Sequence, residues 1–112
     1  MRPLKVLIVE DNPGDALIIT EVLQDAGVPV QVRVVVDGGQ ALDVLRKEWG
    51  RGGRAADLII LDLNLPKIHG FDVLKIIKAD DHLRSIPVVV MTGSLRDEDE
   101  ETARRLGAAD YF

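Results

Sequence analysis

A chain of 112 residues with 46% hydrophobic content can enclose one core but not two, so a single domain over residues 1–112 is expected. The absence of cysteine excludes a disulfide framework and a thiolate metal centre. A formal charge of −5 weighs against direct nucleic-acid binding, and no apolar run approaches the roughly 18 residues of a membrane span, so with no leader-like start a soluble, cytoplasmic protein is expected.

Residues 4–9 are nearly all apolar, as in a strand covered on both faces of a parallel sheet, and the run stops at Glu10-Asp11. Asn12 can cap a helix that Pro13 opens, and Ala16, Ile19, Val22, Leu23 and Ala26 recur at helical spacing as far as Gly27. Residues 30–36 are rich in β-branched side chains and are broken by Asp37-Gly38-Gly39, after which Ala41, Leu42 and Leu45 mark one face of a second helix. The stretch Gly50-Arg51-Gly52-Gly53-Arg54 reads as a solvated connector, because it lacks both the Lys-Ser/Thr ending of a phosphate-binding loop and a preceding strand. A third strand follows at 58–61, then a third helix at 71–79 with Phe71, Leu74 and Ile77 at helical spacing, a fourth strand at 87–91 and a fourth helix at 97–106. The last helix begins with Asp97-Glu98-Asp99-Glu100-Glu101 and ends with Arg104-Arg105, which complements its dipole, and Gly107 is placed to stop it. Strands alternating with crossover helices imply an α/β fold, a parallel sheet with helices on both faces. Ligands of such sheets bind beyond the carboxyl ends of the strands, where strand order reverses.

Glu10 and Asp11 follow the first strand and Asp62 the third. One such Asp is commonly a turn or cap residue. A Glu-Asp pair and an Asp, each closing a purely apolar strand, point instead to a site if the two strands are neighbours. Converging carboxylates raise one another's pKa, and a bound divalent cation relieves the repulsion. Oxygen ligands without His or Cys select Mg²⁺, or Mn²⁺ or Ca²⁺, over zinc or copper. An ion so held keeps positions open to phosphoryl oxygens, and a carboxylate can itself accept the phosphoryl group, which makes Asp62 the candidate nucleophile. The Thr92 hydroxyl, in Met91-Thr92-Gly93, could bond a phosphoryl oxygen or simply satisfy the strand end. Leu65-Pro66 and Gly70 shape the loop after Asp62, Gly70 through a backbone conformation that other residues resist. His69 and His82 read as surface residues rather than ligands or bases.

Four motifs, Val9-Glu10-Asp11-Asn12-Pro13, Leu61-Asp62-Leu63-Asn64-Leu65-Pro66 with Gly70, Pro87-Val88-Val89-Val90-Met91-Thr92-Gly93 and Gly107-Ala108-Ala109-Asp110-Tyr111, together resemble response regulator receiver domains. They stand in the family's order and spacing and span essentially the whole chain. The resemblance implies a flavodoxin-like, doubly wound sheet of five parallel strands in the order 2-1-3-4-5 within three αβα layers, which would make the first and third strands neighbours. It implies that Asp62 accepts a phosphoryl group from a sensor histidine kinase or phosphotransfer protein. Mg²⁺ would be held by Asp11 directly, Glu10 through water, Asp62 and the Asn64 backbone carbonyl. Thr92 and Tyr111 would form a switch pair that alters the surface around the fourth helix and fifth strand, where receivers also form homodimers.

The Asn12-Pro13-Gly14-Asp15 stretch and the connector at 50–57 look most like stand-alone receivers that serve phytochrome-like histidine kinases. One departure stands out. Receivers carry a Lys at the end of the fifth strand, whereas this sequence stops at Phe112, so the domain is expected to be incomplete at its C-terminus, to lack a fifth helix, to phosphorylate poorly in this form and to associate through an uncovered apolar face. The resemblance implies a phosphoacceptor rather than a turnover enzyme. Two alternatives stay open: an unphosphorylated interaction module, against which the three carboxylates and Thr92 argue, and a Mg²⁺-dependent phosphatase, whose Asp-x-Asp after the first strand is not matched by Asp62 and Asn64 on the third. A dinucleotide site lacks any Gly-x-Gly-x-x-Gly after the first strand.

Overall fold

The computed structural model describes residues 3–48, 55–66, 68–91 and 97–111. Its elements are β1 (Leu4–Val9), α1 (Pro13–Gln24), β2 (Val30–Val35), α2 (Gly38–Asp43, continued by a π-helical turn, Val44–Glu48), β3 (Leu58–Asp62), α3 (Gly70–Ala79), β4 (Val88–Met91), α4 (Asp97–Arg105) and β5 (Asp110–Tyr111). All strand pairs are parallel and the order is β2-β1-β3-β4-β5, so β1 and β3 are neighbours with Val9 opposite Leu61. The Gly-Arg stretch at 50–54 lies outside the described residues.

The period-2 alternation of a strand divides the continuous apolar runs between two faces. Leu7, Val9, Ile59, Leu61, Val88 and Val90 join Leu42, Val73, Leu74, Ile77 and Ala103 of α2, α3 and α4 in the main core. Val6, Ile8 and Ile60 form a smaller cluster, against which Ile19 and Leu23 of α1 pack. Among the described residues one face therefore carries three helices and the other carries α1. That helix covers the sheet more narrowly than its spacing suggested. Ala16 is buried, but Val22 is 65% exposed, beside Leu17 at 58% and Ile18 at 61%, because Val22 stands roughly a third of a turn away from the Ala16 to Leu23 line.

Polar caps fix the helix ends. Asn12 Oδ1 accepts from the Asp15 N–H at 3.1 Å, and Asp37 Oδ1 accepts from the Gln40 N–H at 2.8 Å. Gly107, with φ +102, closes α4 in a left-handed turn. Its N–H donates to the Arg104 carbonyl, and the Ala108 N–H donates to the Ala103 carbonyl.

Gly70 is needed for a reason other than backbone conformation. The glycines with positive φ among the described residues are Gly27 and Gly107, and Gly70 opens α3. A Cβ at position 70 would lie 2.6 Å from the Asp62 carbonyl oxygen and 2.6 Å from Leu63 Cα. Its N–H donates to the Leu63 carbonyl at 3.0 Å. The start of α3 thus abuts the end of β3 backbone to backbone. Gly70→Ala should cost about 2–3 kcal/mol in denaturant unfolding. Gly27→Ala, at φ +83 with open space around it, should cost only about 1 kcal/mol from left-handed strain. Equal costs would refute the steric account.

Candidate functional site

The β1–β3 register delivers two acidic residues to one edge of the sheet. The Glu10 N–H donates to the Val35 carbonyl at 2.9 Å, extending the ladder one step past β1, and its side chain is buried, 7% exposed. Asp11 follows, exposed. Asp62 lies within β3 as its last residue, in register with Met91, rather than just after the strand. One carboxylate oxygen from each of Glu10, Asp11 and Asp62 falls within 4.8 Å of the others. Asn64 is exposed beside them, its N–H donating to Asp62 Oδ1 at 3.2 Å.

This crowding perturbs Glu10. Burial first, then a hydrogen bond with Asp62 and the negative charges of Asp62, Asp11 and Asp15, push its pKa from 4.5 to about 8. The other Glu10 oxygen, Oε2, is buried with no hydrogen-bond partner. Oxygen donors only, surplus negative charge and a buried acceptor left over make a set that a hard divalent cation fits. Two of its members, Glu10 and Asp62, line a cavity of about 460 Å³ together with Asp15 and Asn64 and the apolar Ile8, Val9, Ile18, Ile19, Ile60 and Met91.

The structure brings together Glu10, Asp11 and Asp62, with Asn64 adjacent. Tyr111 sits elsewhere, half-buried in β5 against the main core, and Thr92 lies outside the described residues. His69 and His82 are exposed, as the sequence suggested. His69 also caps α3, its Nδ1 accepting from the Phe71 N–H at 3.0 Å. The sequence offers little signal for this, since imidazole is not among the preferred capping groups. Strand-end reasoning does not reach Asp15 either, although its place three residues after a capping Asn could have flagged it.

Comparison with known proteins gives one consistent result. A family described as response regulator receiver domain matches residues 6–112. The probable methanogenesis regulatory protein FilR2 of Methanothrix harundinacea is 41% identical over 97 residues, 87% of this chain and 63% of FilR2, so the chain spans less than two thirds of that relative. The crystal structure of the phosphorylated cyanobacterial phytochrome response regulator RcpA matches with a TM-score of 0.89 and 41% identity over 99% of this chain and 80% of RcpA. The Mn²⁺-bound form of response regulator Rcp1, a protein of Synechocystis, matches with a TM-score of 0.88 and 34% identity over 98% of this chain and 80% of the other. RcpA is a phytochrome response regulator, the kind that the Asn12 to Asp15 stretch suggested.

The raised pKa of Glu10 sets a pH dependence with a definite sign. With its pKa raised from 4.5 to about 8, Glu10 keeps in the folded, metal-free chain a proton that the unfolded chain has already lost. Unfolding then releases a proton, so its contribution to stability is present at low pH and is lost as pH rises through that window, by at most about 1.4 kcal/mol per pH unit. Denaturant unfolding in a chelator between about pH 5 and 8 should show the wild type losing stability relative to Glu10→Gln. Parallel profiles would show that Glu10 does not hold the proton.

Proposed function

Because the chain belongs to the response regulator receiver domain family, we propose that it is a phosphorylatable switch of a two-component relay, receiving a phosphoryl group on Asp62 from a sensor histidine kinase or phosphotransfer protein. The observation that carries this reading is the convergence of Glu10, Asp11 and Asp62 within 4.8 Å at the carboxyl ends of β1 and β3. A phosphorylated neighbour, RcpA, and a Mn²⁺-bound one, Rcp1, support it.

In the step proposed, an Asp62 oxygen attacks phosphorus in line, the phosphorus–nitrogen bond of the donor phosphohistidine breaks, and its electron pair leaves with the imidazole. The product is an acyl phosphate on Asp62. The Asn64 N–H, which already bonds Asp62 Oδ1, fixes the nucleophile's orientation. Glu10, Asp11, Asp62 and the Asn64 carbonyl would hold Mg²⁺, which when bound neutralises charge on the phosphoryl oxygens. Thr92 would then contact the phosphoryl group and Tyr111 would follow it inward, changing the surface of α4 and β5, where a second copy would also dock. The chain is read as a cytoplasmic phosphoacceptor that acts on itself rather than turning over an external substrate. No helix among the described residues is long and apolar enough to cross a membrane.

Intact-mass spectrometry after incubation with acetyl phosphate and Mg²⁺ tests the reading, on this chain and on a version extended by a fifth helix. The wild type should gain one phosphoryl group and Asp62→Asn none. Asp11→Asn should react roughly a hundredfold more slowly, as loss of a few kcal/mol of charge stabilisation requires. An adduct on the extended version alone would show that the reaction needs residues added after Phe112. No adduct on either, with Mg²⁺ binding confirmed, would favour an unphosphorylated interaction module.

A further inference from the structure

Asp15 comes from a helix, unlike the three carboxylates gathered at the strand ends. It is the third residue of α1, its N–H bonded to the Asn12 cap at 3.1 Å, and its carboxylate is exposed. It lines the cavity with Glu10, Asp62 and Asn64, one helical turn before Ile18, which lines the same cavity; Asp11 is not among the lining residues. Asp15 therefore shares the cavity wall with two of the three strand-end carboxylates, Glu10 and Asp62. A second observation shows that this side is prepared for a ligand: Glu10 also lines the cavity, is 7% exposed, and carries a buried Oε2 with no partner.

We propose that Asp15 is a positioning residue for the divalent cation, a fourth carboxylate that holds the ion's water shell from the cavity side. The inference rests on reading Glu10, Asp11 and Asp62 as the cation's ligands. An ion bound by a few carboxylates, Mg²⁺ above all, keeps several of its waters. Those waters are hydrogen-bond donors, and an ionised carboxylate is an acceptor only. The Asp15 charge also acts on the ion directly, in a setting open enough to be screened by salt. An acidic residue in a first helical turn favours the helix as well, so the test must separate the two roles.

Mn²⁺ alone is the probe, titrated into the 112-residue chain with free Mn²⁺ followed by electron paramagnetic resonance. Wild type, Asp15→Asn, Asp15→Glu and Asp11→Asn are compared, each with a metal-free melting curve. Asp15→Asn should bind Mn²⁺ roughly three- to tenfold more weakly, as the loss of one nearby charge predicts, with the difference shrinking at high salt. Asp15→Glu should recover most of the affinity, and the metal-free melting temperature should move little. Unchanged affinity in Asp15→Asn overturns the proposal. So does a loss that tracks a lowered metal-free melting temperature, which would mark Asp15 as a helix stabiliser. A wild type that binds no Mn²⁺, or an Asp11→Asn chain that binds as the wild type does, refutes the reading of the cluster itself, and the role of Asp15 falls with it.

Discussion

Negative charge is forced together at the carboxyl edge of β1 and β3, and the rest of the site answers to that constraint. The register that sets Val9 opposite Leu61 leaves no freedom to separate Glu10 from Asp62. Glu10 is tied to the β2 ladder by its own N–H, and Asp62 is itself a strand residue in register with Met91. Side-chain rotation cannot relieve the repulsion, because Glu10 is buried. Burial and the neighbouring negative charges instead hold the Glu10 carboxyl in its protonated form to a higher pH than usual. A proton and a divalent cation would compete for the Glu10 oxygens, so the contribution of Glu10 to stability falls, and its capacity to hold a cation rises, as that proton is lost.

The loop that leaves Asp62 is held on two sides by contacts that tolerate no side-chain atom. At one side Gly70 presses on the Asp62 carbonyl and Leu63. At the other, a Cβ on Gly38 would meet Val73 Cγ2 at 2.4 Å and Ile68 Cβ at 3.2 Å, so the start of α2 is locked onto α3 and onto the residues that precede it. The His69 cap pins the same helix start through the Phe71 N–H. The carboxylate read as the phosphoacceptor thus sits on a rigid strand, followed by a loop with little room to adjust, which is what precise placement of a nucleophile requires.

The strands were legible because a doubly covered parallel strand leaves an unbroken apolar run, as residues 4–9 and 58–61 do. The acidic cluster was legible because polar residues that interrupt such a run stand out. The strand order was not carried by any run or spacing; it came with the family motifs, and the pairings then placed β1 beside β3. Features that depend on a neighbour in space escaped. Helical spacing put Val22 on the covered face, but the width of that face is set by what lies opposite it: Ile19 and Leu23 pack against the sheet and Ala16 is buried, while Val22 is exposed. Gly70 looked like a turn glycine, and only the approach of β3 shows that it is a steric one. The π-helical turn at Val44–Glu48 has no signature in hydrophobic spacing.

Lys78 shows where the fold resists deformation and where it yields. Its stem runs along Gly107, at 3.2 Å from where a Cβ would stand. Its ammonium donates to the Arg84 and Ile86 carbonyls at 3.0 and 2.9 Å, and partial burial holds its pKa below the ordinary 10.5. These bonds offset the cost of keeping a cation out of full solvent, and they fasten the last turn of α3 to the segment that leads into β4. With Gly70 and the His69 cap at its start and Lys78 at its end, α3 is restrained along its whole length. A displacement at Asp62 therefore has poor purchase on α3. The sheet offers another path: among the described residues β5 pairs with β4 through Val89↔Asp110 and Val90↔Tyr111, and Asp110 also bonds Arg104 of α4 at 3.4 Å across an exposed surface, where such pairs contribute little. In the switch proposed above, Tyr111, half-buried in β5 against the core, is the side chain whose movement would couple that edge of the sheet to the core.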